Sequence, residues 1–328
     1  MQVTGRLVRW LVFPAVILML ASCLRNDYEI LDPATAGTWT LYTTADGLPS
    51  DQVSDIQTDS QGNLWVSFPG YGAAKFDNNS WTYFRAAASP LLNDGVNCVA
   101  ETADGRIVFG TLDGLSILAS GNVWSSYVDP TDGMDVTVIK VASNGWIWVG
   151  TRENGFYLNT GTGFTKNLIA GYSNIRSIEE GPGGAIYIGT DNGIVRYYQG
   201  NYTYIKKPDG LPDDNVRAVR FDSKERLWIG TEAGKNVVWI DRRGIHQLNL
   251  IGSSDSVRIR DIHEDRRGRI WFATHRNGVS VYDGVIARPV TEIPFPENRI
   301  NCIGQDKSGN LWFGLYSKGL LKYTLPLY

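Results

Sequence analysis

Three arginines, Arg176, Arg217 and Arg260, stand 41 and 43 residues apart, each directly behind an Ile or Val and two residues before another Ile or Val. A guanidinium is planar, forked and permanently charged, and it takes carboxylate, sulfate or phosphate oxygens through paired hydrogen bonds. If the fold brings the three to one concave surface, what they offer is anion recognition, with Arg152 and His275 as outer contributors. The competing expectation is that each pairs with Asp213, Asp214, Asp255 or Asp261, because partly buried arginines usually find a carboxylate. Groups for bond-making chemistry are not arranged for it. There is no Gly-x-Ser-x-Gly, no phosphate-cradling glycine loop and no Cys-x-x-Cys. The Asp-x-x-Gly turns lack the alternating carboxylates of a calcium loop. Carboxylate pairs for glycoside hydrolysis could be drawn from several turns, but a turn-rich face supplies such pairs by chance. No catalytic residue, metal or cofactor is expected.

What must position the arginines is a repeat. Each occupies position 2 of a sixteen-residue block that occurs seven times without a gap, from VSDIQTDSQGNLWVSF at Val53 to INCIGQDKSGNLWFGL at Ile300. Position 1 is always Val or Ile, and position 12 is always Leu or Ile. Position 13 is Trp65, Trp148, Trp228, Trp271 or Trp312, with Val108 and Tyr187 in the other two copies. Position 10 is Gly in all copies but one, where it is Glu225. The block reads as two apolar strands around a tight turn, and two further strand-like segments follow it. Anchors 39 to 43 residues apart match a four-stranded propeller blade. The expected fold is all-β, a seven-bladed β-propeller of four-stranded blades. Position 2 then rings the mouth of the central channel with Ser54, Asn97, Thr137, Arg176, Arg217, Arg260 and Asn301. The seventh copy lacks a fourth strand, while a spare one, TWTLYT, precedes the first. Thr38 to Thr43 is therefore expected to complete the blade of Trp312 and leave few free edges.

Residues before the repeats read differently. Arg6 and Arg9, the apolar run Trp10 to Leu20 and then Leu20-Ala21-Ser22-Cys23 have the form of a secretory signal. The last four residues resemble a bacterial lipobox. That resemblance implies removal of 1–22, a lipid on Cys23 and a tether over 23–37, with the propeller spanning 38–328. Acyl chains would hold the domain at a membrane surface, and Leu24 after the cysteine leans toward the outer membrane. Cys98 and Cys302, both at position 3 but in blades that are not neighbours, read as buried thiols rather than a disulfide. Charges of both signs are mixed over a net of −3, which gives nucleic acid no basic surface.

Asp46-Gly47-Leu48-Pro49 opens the first block and Asp209-Gly210-Leu211-Pro212 the fifth; GNLWVS and RLWIGT follow within them. Together these resemble the two-component-regulator propeller repeat, over essentially Trp39 to Tyr328. The resemblance implies a ligand-binding sensor domain of the kind found outside the cell in hybrid histidine kinases. Family sensors continue into a further β domain, a membrane helix and a kinase, so a sensing role would need a separate partner. The expected role is non-enzymatic, capture of a small polar, saccharide or anionic ligand at the channel mouth. A scaffold for a partner protein on the same face is the alternative, and a streptogramin-lyase-like or hydrolytic enzyme the third. Such lyases rely on a metal held by His and Glu near the mouth. Here His246 falls on an outer strand, His263 roughly 13 Å down the channel and His275 on a mouth loop, so no set converges.

Overall fold

The computed structural model describes residues 37–234, 236–250, 257–290 and 296–324. The expected leader, Cys23, nearly all of the tether and Asp255 lie outside the described residues.

Each block folds into a hairpin because its two apolar halves meet across a turn that uses left-handed backbone at position 10. Gly62 (φ +93°) and Gly309 (φ +89°) adopt it freely, and Glu225 (φ +59°) adopts it without that freedom. A buried clasp sets the hairpin in four blades. The position 7 aspartate accepts the indole N–H of the position 13 tryptophan: Asp59 from Trp65 at 2.9 Å, Asp222 from Trp228 at 2.7 Å, Asp265 from Trp271 at 2.8 Å and Asp306 from Trp312 at 3.0 Å. The same carboxylates accept backbone amides of the turn, for example that of Arg269 at 3.0 Å. In the third blade position 7 is Ala142, and the buried Trp148 indole nitrogen has no partner.

Two more strands complete each sheet, giving seven antiparallel four-stranded sheets. Their inner strands (Asp55–Thr58, Val96–Glu101, Val136–Val141, Ile175–Glu180, Val216–Phe221, Ile259–Glu264 and Ile300–Gln305) stand side by side in a closed ring. Both faces of every blade are thereby buried against neighbours. The close approach explains the Gly of the Gly-Thr pairs. A Cβ on Gly150 would stand 2.4 Å from the side chain of Ile175, and one on Gly230 2.5 Å from Ile259. Position 1 of one blade thus fills the space that glycine leaves in the blade before it. On the face away from the mouth, Ser60, Ser143 and Ser223 clamp Glu101, Glu180 and Glu264 of the following blades through hydroxyl and amide.

The donated strand is present. Thr38–Tyr42 pairs antiparallel with Leu320–Thr324, with Trp39 opposite Tyr323, and completes the sheet of Trp312. Trp39 stacks on Tyr323 with ring centroids 4.2 Å apart. The fourth strand of blade 6 is only Ala287–Pro289; a proline there is tolerated because the strand is an outer edge.

Candidate functional site at the channel mouth

Six of the seven inner strands carry a one-residue register shift between positions 1 and 3. Position 2 is the extra residue. A bulge leaves its residue out of the ladder and turns the side chain to a new direction, here toward the channel. The block sequence carries its trace: the fixed apolar residues of positions 1 and 4 stand three apart, an odd spacing that plain alternation does not give.

In four blades the position 2 side chain stitches the ring. Each donates to the position 1 carbonyl of the next blade: Ser54 to Val96 (2.7 Å), Asn97 to Val136 (2.7 Å), Thr137 to Ile175 (2.6 Å) and Asn301 to Val53 (2.8 Å). Blades 4, 5 and 6 give up that stitch for arginine. Arg176, Arg217 and Arg260 line a mouth cavity of about 420 Å³ together with Arg152, Asn97 and Tyr316. Below it the channel widens into a space of about 490 Å³ that reaches Lys140, Glu179 and Arg220.

The pairing expected for the arginines turns out differently. Arg217 Nε is bonded to Glu232, whose other oxygen holds Arg258 Nε at 2.5 Å. Arg152 Nε donates to Asp135 at 2.6 Å. Asp213 and Asp214 are occupied by the amides of Ala233 and Lys207, and Asp261 by those of Ile262 and Ile303. These aspartates are taken by backbone amides, some of them far along the chain (Ala233, Ile303), and Arg217 is bonded instead to Glu232, on the loop after a second strand.

Arg176 and Arg260 differ from Arg217: their Nε–H groups are buried and unpartnered. Burial, then the neighbouring Arg217 cation, push both guanidiniums below the ordinary arginine range. Arg260 Nη2 lies 3.2 Å from His275 Nδ1. Because a guanidinium only donates, Nδ1 must accept, and the imidazole is neutral with its proton on Nε2. Burial and then Arg260, Arg258, Arg276 and Arg299 hold the His275 pKa low, in keeping with that tautomer. Arg299 also stacks on Tyr316 at 4.0 Å. The mouth over blades 4 to 6 is therefore strongly positive, with two donor edges aimed at no protein acceptor.

The other histidines stand apart. His246 stacks on Trp239 and bonds Asp241 at 2.8 Å on an outer strand. His263 lies in the lower channel, where burial and then Arg220 lower its pKa to about 3. Among the described residues no three His, Cys, Asp or Glu side chains group as metal ligands. Cys98 and Cys302 are buried free thiols.

Comparison with known proteins yields one family. The two-component regulator propeller repeat matches residues 47–70, 210–233, 252–276 and 294–317, which fall on blades 1, 5, 6 and 7. Histidine kinase P4 of Formosa agariphila is 26% identical over 260 residues, covering 70% of this chain and 19% of the kinase. Among solved structures, the extracellular domain of a hybrid two-component system from B. thetaiotaomicron superposes with a TM-score of 0.75 at 21% identity, over 88% of this chain and 42% of that one. A streptogramin B lyase superposes with a TM-score of 0.74 at 19% identity, over 88% of this chain and 98% of the lyase. The chain thus spans less than half the length of the kinase and of the sensor domain it matches. At these identities the two superpositions speak for the propeller fold that sensor and lyase share.

Proposed function

From a chain that carries two-component regulator propeller repeats, we propose an exported, membrane-anchored binding propeller that captures a small anionic ligand at its channel mouth without transforming it. The observation that carries this reading is the exchange at position 2. Four blades use that residue to tie the ring together, while three consecutive blades place arginines there, and two of those keep buried N–H groups unpaired. An unpaired buried donor costs about 1–3 kcal/mol, more when charged. A carboxylate, sulfate or phosphate between Arg176 and Arg260 would supply the missing acceptors. Arg217, held by Glu232, sets the spacing between them, and Arg152 and His275 border the site. Likeness to sensor domains supports a role in reporting the ligand to a partner protein. The form of the leader sequence supports export and a lipid on Cys23.

The test is isothermal titration with a panel of organic acids, acidic sugars and phosphate or sulfate esters, run on the parent protein, Arg176→Ala and Arg260→Ala. Binding of an anionic compound that weakens roughly tenfold or more in either variant, as loss of a charged hydrogen bond predicts, supports the reading. Anion binding that neither variant alters overturns it.

A further inference from the structure

The face opposite the mouth has a chemistry of its own. It is built by the turns that join first to second and third to fourth strands. On blades 5, 6 and 7 these turns project Lys224, Arg242, Arg243, Arg266, Arg267 and Lys307, all exposed. Glu225 is the exposed carboxylate among those described turns, 2.8 Å from Arg242. The acids beneath, Asp222 and Asp265, are buried and engaged by Arg226 and Arg269 and by the Trp228 and Trp271 indoles. Lys224, Arg226, Arg242 and Arg243 border a shallow depression of about 540 Å³ together with Glu225 and Asp241, the latter bonded to His246. Beside this basic field, the turn of blade 6 lifts Val285 to 77% exposure, more than any other large apolar side chain among the described residues. Asp283 in that turn is spent on the Val285 and Ile286 amides.

The same face receives the chain. Thr38 pairs with Thr324 at the end of blade 7 away from the mouth, so the chain enters the propeller at Gly37 on that face.

We propose that this face docks on an anionic lipid surface, with Val285 entering the headgroup layer and the mouth directed away from the bilayer. Exposed cations around a projecting aliphatic side chain match the charge and polarity of such an interface. Each basic side chain near an anionic surface strengthens attachment about fivefold. Six together hold this face, rather than the mouth, toward the surface. The inference does not depend on what the mouth binds, nor on acylation of Cys23.

The experiment uses the mature chain, residues 23–328, with Cys23→Ser, which leaves the two buried thiols, and places an environment-sensitive dye at Val285→Cys or, on the mouth side, at Leu168→Cys. The Val285 dye should shift to the blue on vesicles of phosphatidylcholine with phosphatidylglycerol but not of phosphatidylcholine alone. Salt should reverse the shift, and the Leu168 dye should stay unchanged. Reversing Arg242, Arg243, Arg266 and Arg267 to Glu should weaken the response by at least about a hundredfold. An equal shift on neutral vesicles, an equal response at both positions, or a response to polyglutamate in place of lipid would overturn the proposal. The lipid and salt arms need only the parent charges, so a misfolded variant cannot decide the outcome.

Discussion

Trp148 carries the one position 13 indole that its blade leaves without an acceptor, because Ala142 replaces the aspartate found in the other tryptophan blades. Ala142→Asp should restore the clasp and raise the unfolding free energy by about 1 kcal/mol, read by urea denaturation; a loss would mean the turn cannot supply the remaining hydrogen bonds. In the converse change, Asp265→Ala strands a buried guanidinium and an indole together and should cost roughly 3–5 kcal/mol. Arg176 makes a different prediction. A half-buried cation whose Nε–H meets no acceptor is a stability cost kept for another reason. Arg176→Leu should therefore leave the ligand-free protein as stable or about 1 kcal/mol more stable, while anion binding disappears. If Arg176 were structural, the same variant would lower the melting temperature.

At the scale of the strand, closure rests on a short segment with only half-buried side chains. Trp39→Ala removes the stack on Tyr323 and should lower stability by roughly 2 kcal/mol, less than a fully buried tryptophan would cost. Hydrogen exchange should show the loss first in Thr38–Tyr42 and Leu320–Thr324, since these strands have no other closure. This element was legible in the sequence: TWTLYT matches the outer strands of other blades and the seventh copy lacks one. The hairpins were legible too, because position 13 aromatics and position 10 glycines recur at fixed spacing. The bulge was written there too, in the three-residue spacing of the apolar positions 1 and 4, but that spacing alone does not say which of the two intervening residues leaves the ladder. The true partners of the arginines were hidden. Turn aspartates close in sequence, such as Asp213, are taken by backbone amides, here that of Ala233, while Glu232 reaches Arg217 from the far side of a hairpin.

Across the whole molecule, the channel holds ionisable groups at several depths, and two of them act on stability in opposite directions. Asp261 lines the channel surrounded by protein; burial raises its pKa from 3.8 to about 6, against the lowering effect of the Ile303 and Ile262 amides. Its folded form holds the proton more tightly, so its contribution to stability falls as pH rises from about 4 to about 6. His263, two residues on, is lowered from 6.5 to about 3. Its neutral form is favoured in the fold, and its contribution falls as pH drops below about 6.5. Denaturation between these limits should show the two slopes partly cancelling in the parent. His263→Gln should leave a protein that loses stability toward neutral pH, and Asp261→Asn one that loses it more steeply toward acid. Each slope should reach at most about 1.4 kcal/mol per pH unit. Parallel profiles in all three proteins would show that neither group titrates with folding. Sequence placed both groups on one inner strand; their surroundings depend on which blades close the ring.

The bulge at position 2 has a consequence for how such a protein can change. Its side chain belongs to no ladder and to no core layer, and where it does stitch blades one or two hydrogen bonds are at stake. Seven such positions face one opening, each at a known place in the chain. They behave as an alphabet written around a rim, in which one letter can be altered without respelling the rest. Ser, Asn and Thr spell closure on one side of this rim, and Arg spells charge on the other. A lineage could revise what the opening accepts by point substitutions alone, one blade at a time, over an unchanged scaffold.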